Sequence, residues 1–177
     1  AITFSIKACR AMGRGTHGVR GIKLSAGDEV ISLLWLKSEN KVLTLTENGY
    51  GKRTEPGEYR ITRRGGKGVK NLNITEKTGE AVFVESVADD YDLIITSREG
   101  QVIRTAADGV RVTGRVSQGV KVITLREGDS VQDATALPSV EDLEQDAVAS
   151  QESFQEAVDS SSSEIVAQED SETTAEE

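Results

Sequence analysis

Between Ile61 and Lys70 the chain reads Ile61-Thr62-Arg63-Arg64-Gly65-Gly66-Lys67-Gly68-Val69-Lys70, four basic side chains packed around three glycines. Glycine admits positive φ and lets a second molecule approach the main chain. Arginine's planar fork suits phosphate oxygens, and lysine adds a compact point charge. A tight turn of exposed N–H groups ringed by such cations suits the backbone of a polyanion. Taken alone, the stretch also reads as a solvated hairpin turn. Its context decides between the two.

The same pattern occurs three times. Gly13-Arg14-Gly15-Thr16-His17-Gly18-Val19-Arg20 precedes the stretch above, and Gly114-Arg115-Val116-Ser117-Gln118-Gly119-Val120-Lys121 follows it. The shared Gly-Val-basic element falls at Gly18, Gly68 and Gly119, spacings of 50 and 51. A second marker keeps the phase, with Gly49-Tyr50-Gly51-Lys52-Arg53-Thr54 echoed by Gly100-Gln101-Val102-Ile103-Arg104-Thr105. A third is Ala26-Gly27-Asp28, echoed by Glu127-Gly128-Asp129. Arg10–Arg14 fits Arg111–Arg115, so the chain begins near the end of one repeat unit, and its amino terminus reads as a cut inside a larger protein. The units fall near 1–14, 15–64, 65–115 and 116–138.

Basic residues recur at one phase of the repeat: Arg14, Arg20 and Lys23; Arg63, Arg64, Lys67 and Lys70; Arg115 and Lys121. Lys52, Arg53 and Arg104 recur at the second marker. On a disc of equivalent units equal phase is equal position, so these charges are expected along one rim. Such a rim suits a bent duplex held by its phosphates without base reading.

The elements that must carry the rim are β-strands. Val30–Leu36 is a short apolar run rich in branched residues, and Lys41–Thr46 alternates as a half-buried strand does. Glu47-Asn48-Gly49 closes it with a hairpin turn. The next unit offers Ala81–Val87, Asp92–Ser97 and Gln101–Arg104, turned by Glu99-Gly100, and Ile2–Ile6 also reads as strand. Four short strands per roughly 50 residues is propeller-blade spacing. The fold class expected is therefore all-β, a partial ring of four-stranded blades with raw ends, because a blade buries its face only against neighbours.

The net charge of -9 hides two parts. Ser139–Glu177 holds 13 acids and no Lys or Arg, which leaves 17 acids against 21 bases, a net of +4, in residues 1–138. The acidic part cannot bury enough apolar surface to offset its chain entropy and reads as a disordered tail, 139–177, with a short helix near Val140–Val158 as the other reading. Cys9 is the single cysteine, which excludes an internal disulfide and a cysteine metal cluster, and it reads as a small buried apolar residue. No run of about 18 apolar residues is present to span a membrane, and no secretory signal opens the chain.

Sharper chemistry has little support. His17 has no nearby Cys or second His and reads as a polar turn residue or phosphate contact. Tyr50, Tyr59 and Tyr91 read as blade packing. Gly13–Gly18 has the outline of a dinucleotide loop but no helix pattern after it. Asp89-Asp90-Tyr91-Asp92 reads as a turn between strands rather than a cation site, and no Ser/His/Asp set stands out.

The Gly18-Val19-Arg20-Gly21-Ile22-Lys23-Leu24 run, Asn48–Thr54, Glu58-Tyr59-Arg60 and Arg63–Gly68 together resemble the C-terminal domain of DNA gyrase A subunits over about residues 1–137. The resemblance implies a β-pinwheel, a propeller-like disc of about six blades whose basic rim wraps DNA non-sequence-specifically. It implies membership of an ATP-dependent type II topoisomerase that introduces negative supercoils, with double-stranded DNA, the rest of the A subunit and the B subunit of an A2B2 heterotetramer as partners. It further implies a bacterial cytoplasmic, nucleoid-associated setting. No catalytic residue and no metal or cofactor site is expected in this chain, since ATP and magnesium act elsewhere in the holoenzyme and the cleaving tyrosine lies in another domain. The family's signature heptapeptide is Gln-Arg-Arg-Gly-Gly-(Lys or Arg)-Gly; Arg63, Arg64, Gly65, Gly66, Lys67 and Gly68 match its last six positions and Thr62 replaces the glutamine. In the family it belongs to the first blade, whereas here it sits between later repeats, so its part in closing the wrap stays open. Two alternatives remain, a topoisomerase IV subunit's related domain and a propeller-like protein-interaction module. The tail likewise has two readings, a competitor for the basic rim and a solubilising extension.

Overall fold

The computed structural model describes residues 1–138. The readings of the acidic tail and its helix fall outside the described residues. Among the described residues seven strands are present: β1 (Lys41–Thr46), β2 (Tyr50–Thr54), β3 (Ala81–Val87), β4 (Asp92–Ser97), β5 (Val102–Ala106), β6 (Val120–Lys121) and β7 (Val131–Leu137). Short 3-10 turns occupy Ile6–Ala8, Pro56–Glu58 and Ala107–Gly109. All pairing within the two sheets is antiparallel, with strand orders β3-β1-β2-β6 and β5-β4-β7. The all-β expectation holds, and among the described residues no helix is long and apolar enough to cross a membrane.

Each hairpin is extended by a strand from the following unit. β1 and β2 pair across a turn in which Gly49 takes φ 77°, and β1 is flanked on its other side by β3. The next hairpin, β4–β5, is flanked in the same way by β7. Leu43, Leu45, Val87, Leu93, Ile95, Ile123, Val131 and Ala134 are buried together in one cluster. Alternation along β4 places Leu93 and Ile95 inward, each with no exposed surface, while Ile94 and Thr96 remain half-buried. Units therefore bury their apolar faces against one another, as repeat architectures must. A four-stranded blade is built across unit boundaries, which the in-sequence count of strands does not reveal.

Two strand expectations fail. Val30–Leu36 forms no strand, and Leu33 is 90% and Trp35 65% exposed. Its repeat equivalents β3 and β7 are strands because each pairs with the preceding hairpin, and among the described residues no hairpin pairs with Val30–Leu36. Without a ladder the run has no partner for its backbone or its apolar side chains. Ile2–Ile6 yields only a single parallel bridge, Thr3 to Ile61, before the 3-10 turn. Cys9, read as buried, is exposed, because it lies in that same unpaired stretch.

Candidate nucleic-acid interface

The three basic segments form three equivalent loops, Gly13–Arg20, Arg63–Lys70 and Gly114–Lys121, held to one another by backbone contacts at the same phase. The Gly65 N–H donates to Gly21 O at 2.7 Å and the Lys23 N–H to Gly66 O at 2.8 Å, joining the first loop to the second. The Asn73 N–H donates to Ser117 O at 3.2 Å, joining the second to the third. Gly68 and Gly119 sit at φ 78° and 82° where another strand passes close: a Cβ would collide with Ala1 O at the first and lie 2.5 Å from Gly51 O at the second. At those two positions glycine serves the approach of the protein's own backbone.

Arg64 and Arg115, at one phase of the repeat, do a different job from their basic neighbours. Arg64 Nε donates to Ala8 O at 3.3 Å and its other arm to Arg20 O. Arg115 Nε donates to Glu58 O at 3.1 Å and its other arm to Lys70 O. These are the same bonds one unit apart, each tying a loop to the one before it. Arg14 holds the corresponding position in the first loop, is exposed, and has no such hydrogen bond among the described residues.

Arg14, Arg20, Lys23, Arg63, Lys67, Lys70 and Lys121 have exposed side chains, and among the described residues none enters an ion pair. Gly65 and Gly66 lie at the crest of the second loop, between Arg63 and Lys67. Arg104 is exposed on β5 but pairs with Asp92 on the adjacent β4. Arg64 and Arg115 are half-buried through their carbonyl contacts.

Lys52 and Arg53, expected on the rim, lie inside. Lys52 is fully buried and Arg53 is 5% exposed. The Lys52 ammonium donates to Asn71 O at 2.6 Å, Gly114 O at 3.1 Å and Arg115 O at 2.5 Å. Burial, then the neighbouring Arg115 guanidinium, pull its amine down to about 8. Arg53 Nε donates to Val110 O at 2.7 Å, one arm reaches Asp108 O at 3.0 Å, and the other pairs with Asp89. Asp89 also meets Lys41 Nζ at 2.7 Å, and those contacts hold its carboxyl below the ordinary aspartate value. The marker phase alone does not separate an exposed strand residue from an inward one; β2 is covered by Arg111–Lys121, whereas β5 is an edge.

Sequence reasoning missed three residues of this framework. Asn71 accepts a hydrogen bond from the Tyr59 hydroxyl and donates to Thr44 Oγ1 at 3.0 Å, bracing the exit of the second loop. Burial raises the Tyr59 phenol above its usual value. Asp89 and Asp108 serve Arg53, and the Asp-Asp cluster hinted at Asp89 alone. One available signal was Ile103, which occupies in β5 the place of Lys52 in β2 and marks that position as inward. Tyr50 carries Lys77 Nζ 5.2 Å from its ring centre, and Tyr91 packs against the core. His17 is exposed in the first loop.

A family model described as the DNA gyrase C-terminal domain, a β-propeller, matches residues 1–34, 40–88 and 91–138. The DNA gyrase A protein of Fibrobacter succinogenes is 71% identical over 154 residues, 87% of this chain and 17% of that protein. Its counterpart from Thermotoga maritima is 44% identical over 127 residues, 71% of this chain and 16% of its own length. The chain thus spans about a sixth of the length of these curated relatives. A solved DNA gyrase A C-terminal domain superposes with a TM-score of 0.70 at 30% identity, covering 76% of this chain and 46% of that one. A topoisomerase IV C-terminal domain gives the same TM-score at 19% identity over 76% of this chain and 42% of its own, a likeness of fold.

Proposed function

The chain belongs to the DNA gyrase C-terminal domain family, and from that premise we propose that it binds and bends duplex DNA, without reading sequence, along its three basic loops. The observation that carries this is the set of seven exposed cations without ion partners among the described residues, Arg14, Arg20, Lys23, Arg63, Lys67, Lys70 and Lys121, set by the repeat on successive loops. Phosphates contacted by such cations release counterions, and that release drives binding while making it steeply salt-dependent. Seven contacts correspond to a slope of about −6 in log K against log salt, or roughly 10⁴ in affinity between about 50 and 200 mM. Bending costs several kcal/mol, which many weak contacts spread along the surface can offset.

In this reading the chain is a DNA-wrapping part of a longer gyrase A protein, working with a B subunit in an A2B2 assembly in the bacterial cytoplasm. ATP and magnesium chemistry, and strand cleavage, belong to other parts of that assembly. Fluorescence anisotropy with two mixed-sequence duplexes of unrelated composition tests the proposal. Equal, salt-sensitive binding to both is expected. Absence of binding at low salt, by protein shown to be folded by circular dichroism, overturns it.

A further inference from the structure

Strand β2 buries a lysine at a position that is apolar in the neighbouring units. Gly51 pairs with Val120 as Ala1 exchanges backbone hydrogen bonds with Val69, so position 52 corresponds to Ile2 one unit earlier and to Ile103 one unit later. Both equivalents are apolar; here a lysine is buried instead. Its three N–H donors meet three main-chain carbonyls, of Asn71, Gly114 and Arg115, so the ammonium's bonding capacity is fully used.

Those carbonyls belong to two different loops. Asn71 directly follows the second loop, which presents Arg63, Lys67 and Lys70, while Gly114 and Arg115 open the third, which presents Lys121. The junction between the first and second loops has the arginine contact and the backbone bond but no such amine. Among the described residues no carboxylate meets the Lys52 ammonium; the charged groups facing it are Arg115, which opposes it, and Glu58. Desolvating a cation costs free energy that an isoleucine at this place does not incur. What the amine supplies in return is geometry, three directed bonds across one junction.

We propose that Lys52 is a positioning residue for DNA binding: an internal cation that fixes the second and third loops at the spacing at which one duplex crosses both. It rests on the reading of those loops as the DNA-contacting surface. Asn71, held on its other side by Tyr59 and Thr44, is the fixed point against which the amine pulls the third loop into place.

The full chain and its Lys52→Met variant are compared by anisotropy on a short duplex that reaches one loop and a long one that crosses several. Binding to the short duplex should stay within about twofold, while affinity for the long one should fall about tenfold as simultaneous engagement is lost. The salt slope on the long duplex should also become shallower by about one phosphate contact. A folded variant that binds the long duplex like the parent, or that loses affinity equally on both, overturns the assignment. Failure of the parent chain to bind either duplex instead removes the DNA-binding reading beneath it. Where the variant does not fold, the parent's own ammonium decides by NMR: a slowly exchanging Lys52 signal coupled to the carbonyl carbons of Asn71, Gly114 and Arg115, retained with DNA bound, is expected, and its absence overturns the proposal.

Discussion

Replacing Arg63 and Lys67 together with alanine separates the cations that face outward from the one between them that is tied inward. Both side chains are exposed, and among the described residues neither has an ion partner. Folding stability should therefore change by no more than about 0.5 kcal/mol. Two lost phosphate contacts reduce the salt slope by about 1.8, so the parent's advantage over the variant should shrink about 12-fold between about 50 and 200 mM salt. Arg64→Ala is the matched control. Its guanidinium is committed to the carbonyls of Ala8 and Arg20, so its loss should cost about 1 kcal/mol of stability and leave the slope near the parent's. The assay is equilibrium anisotropy on a long duplex across a salt series, with melting curves for each protein. An unchanged slope in the Arg63/Lys67 variant, or an equal drop in the Arg64 variant, would refute the division of labour within this loop.

Gly119→Ala should destabilise by about 2–4 kcal/mol, because a positive φ is combined with a Cβ 2.5 Å from Gly51 O, whereas Gly18→Ala, at similar φ in open space, should cost about 1 kcal/mol; urea titration compares them. Arg53→Ala should cost about 2–3 kcal/mol, read from the same titration, by leaving the Val110 and Asp108 carbonyls without their buried donor. As pH rises from about 8 toward the ordinary lysine value of 10.5, the parent should gain stability relative to Lys52→Met, because the folded state gives up the Lys52 proton before the unfolded state does; urea midpoints at several pH values measure this, and a relative loss contradicts the lowered amine. Trp35, the single tryptophan, should show solvent-exposed emission and ready acrylamide quenching in the folded chain, and a blue-shifted, protected signal would contradict its placement.

The repeat was legible because Gly18, Gly68 and Gly119 keep one phase, and the all-β class followed from hairpin signals such as Asn48-Gly49. The outward cations of the three loops were legible for the same reason, since turns at equal phase take equal positions. Lys52 and Arg53 were not, because which face of a strand is covered depends on later units that contribute β6 and the Val112 bridge across a gap of tens of residues. Arg64 beside Arg63 shows the same limit at finer grain: adjacent residues of one type diverge because one side chain reaches the carbonyls of Ala8 and Arg20, tens of residues back. Val30–Leu36 has the composition of a strand and lacks only a partner, and composition cannot report what a segment pairs with.

The central claim, that the three loops together hold a bent duplex, is tested most directly by end-to-end energy transfer on a duplex of about 40 base pairs, well below the DNA persistence length, at saturating protein and low salt. The ends should draw together on binding and return to the free distance as added salt releases the protein. A duplex that is fully bound yet keeps its free length would contradict the claim.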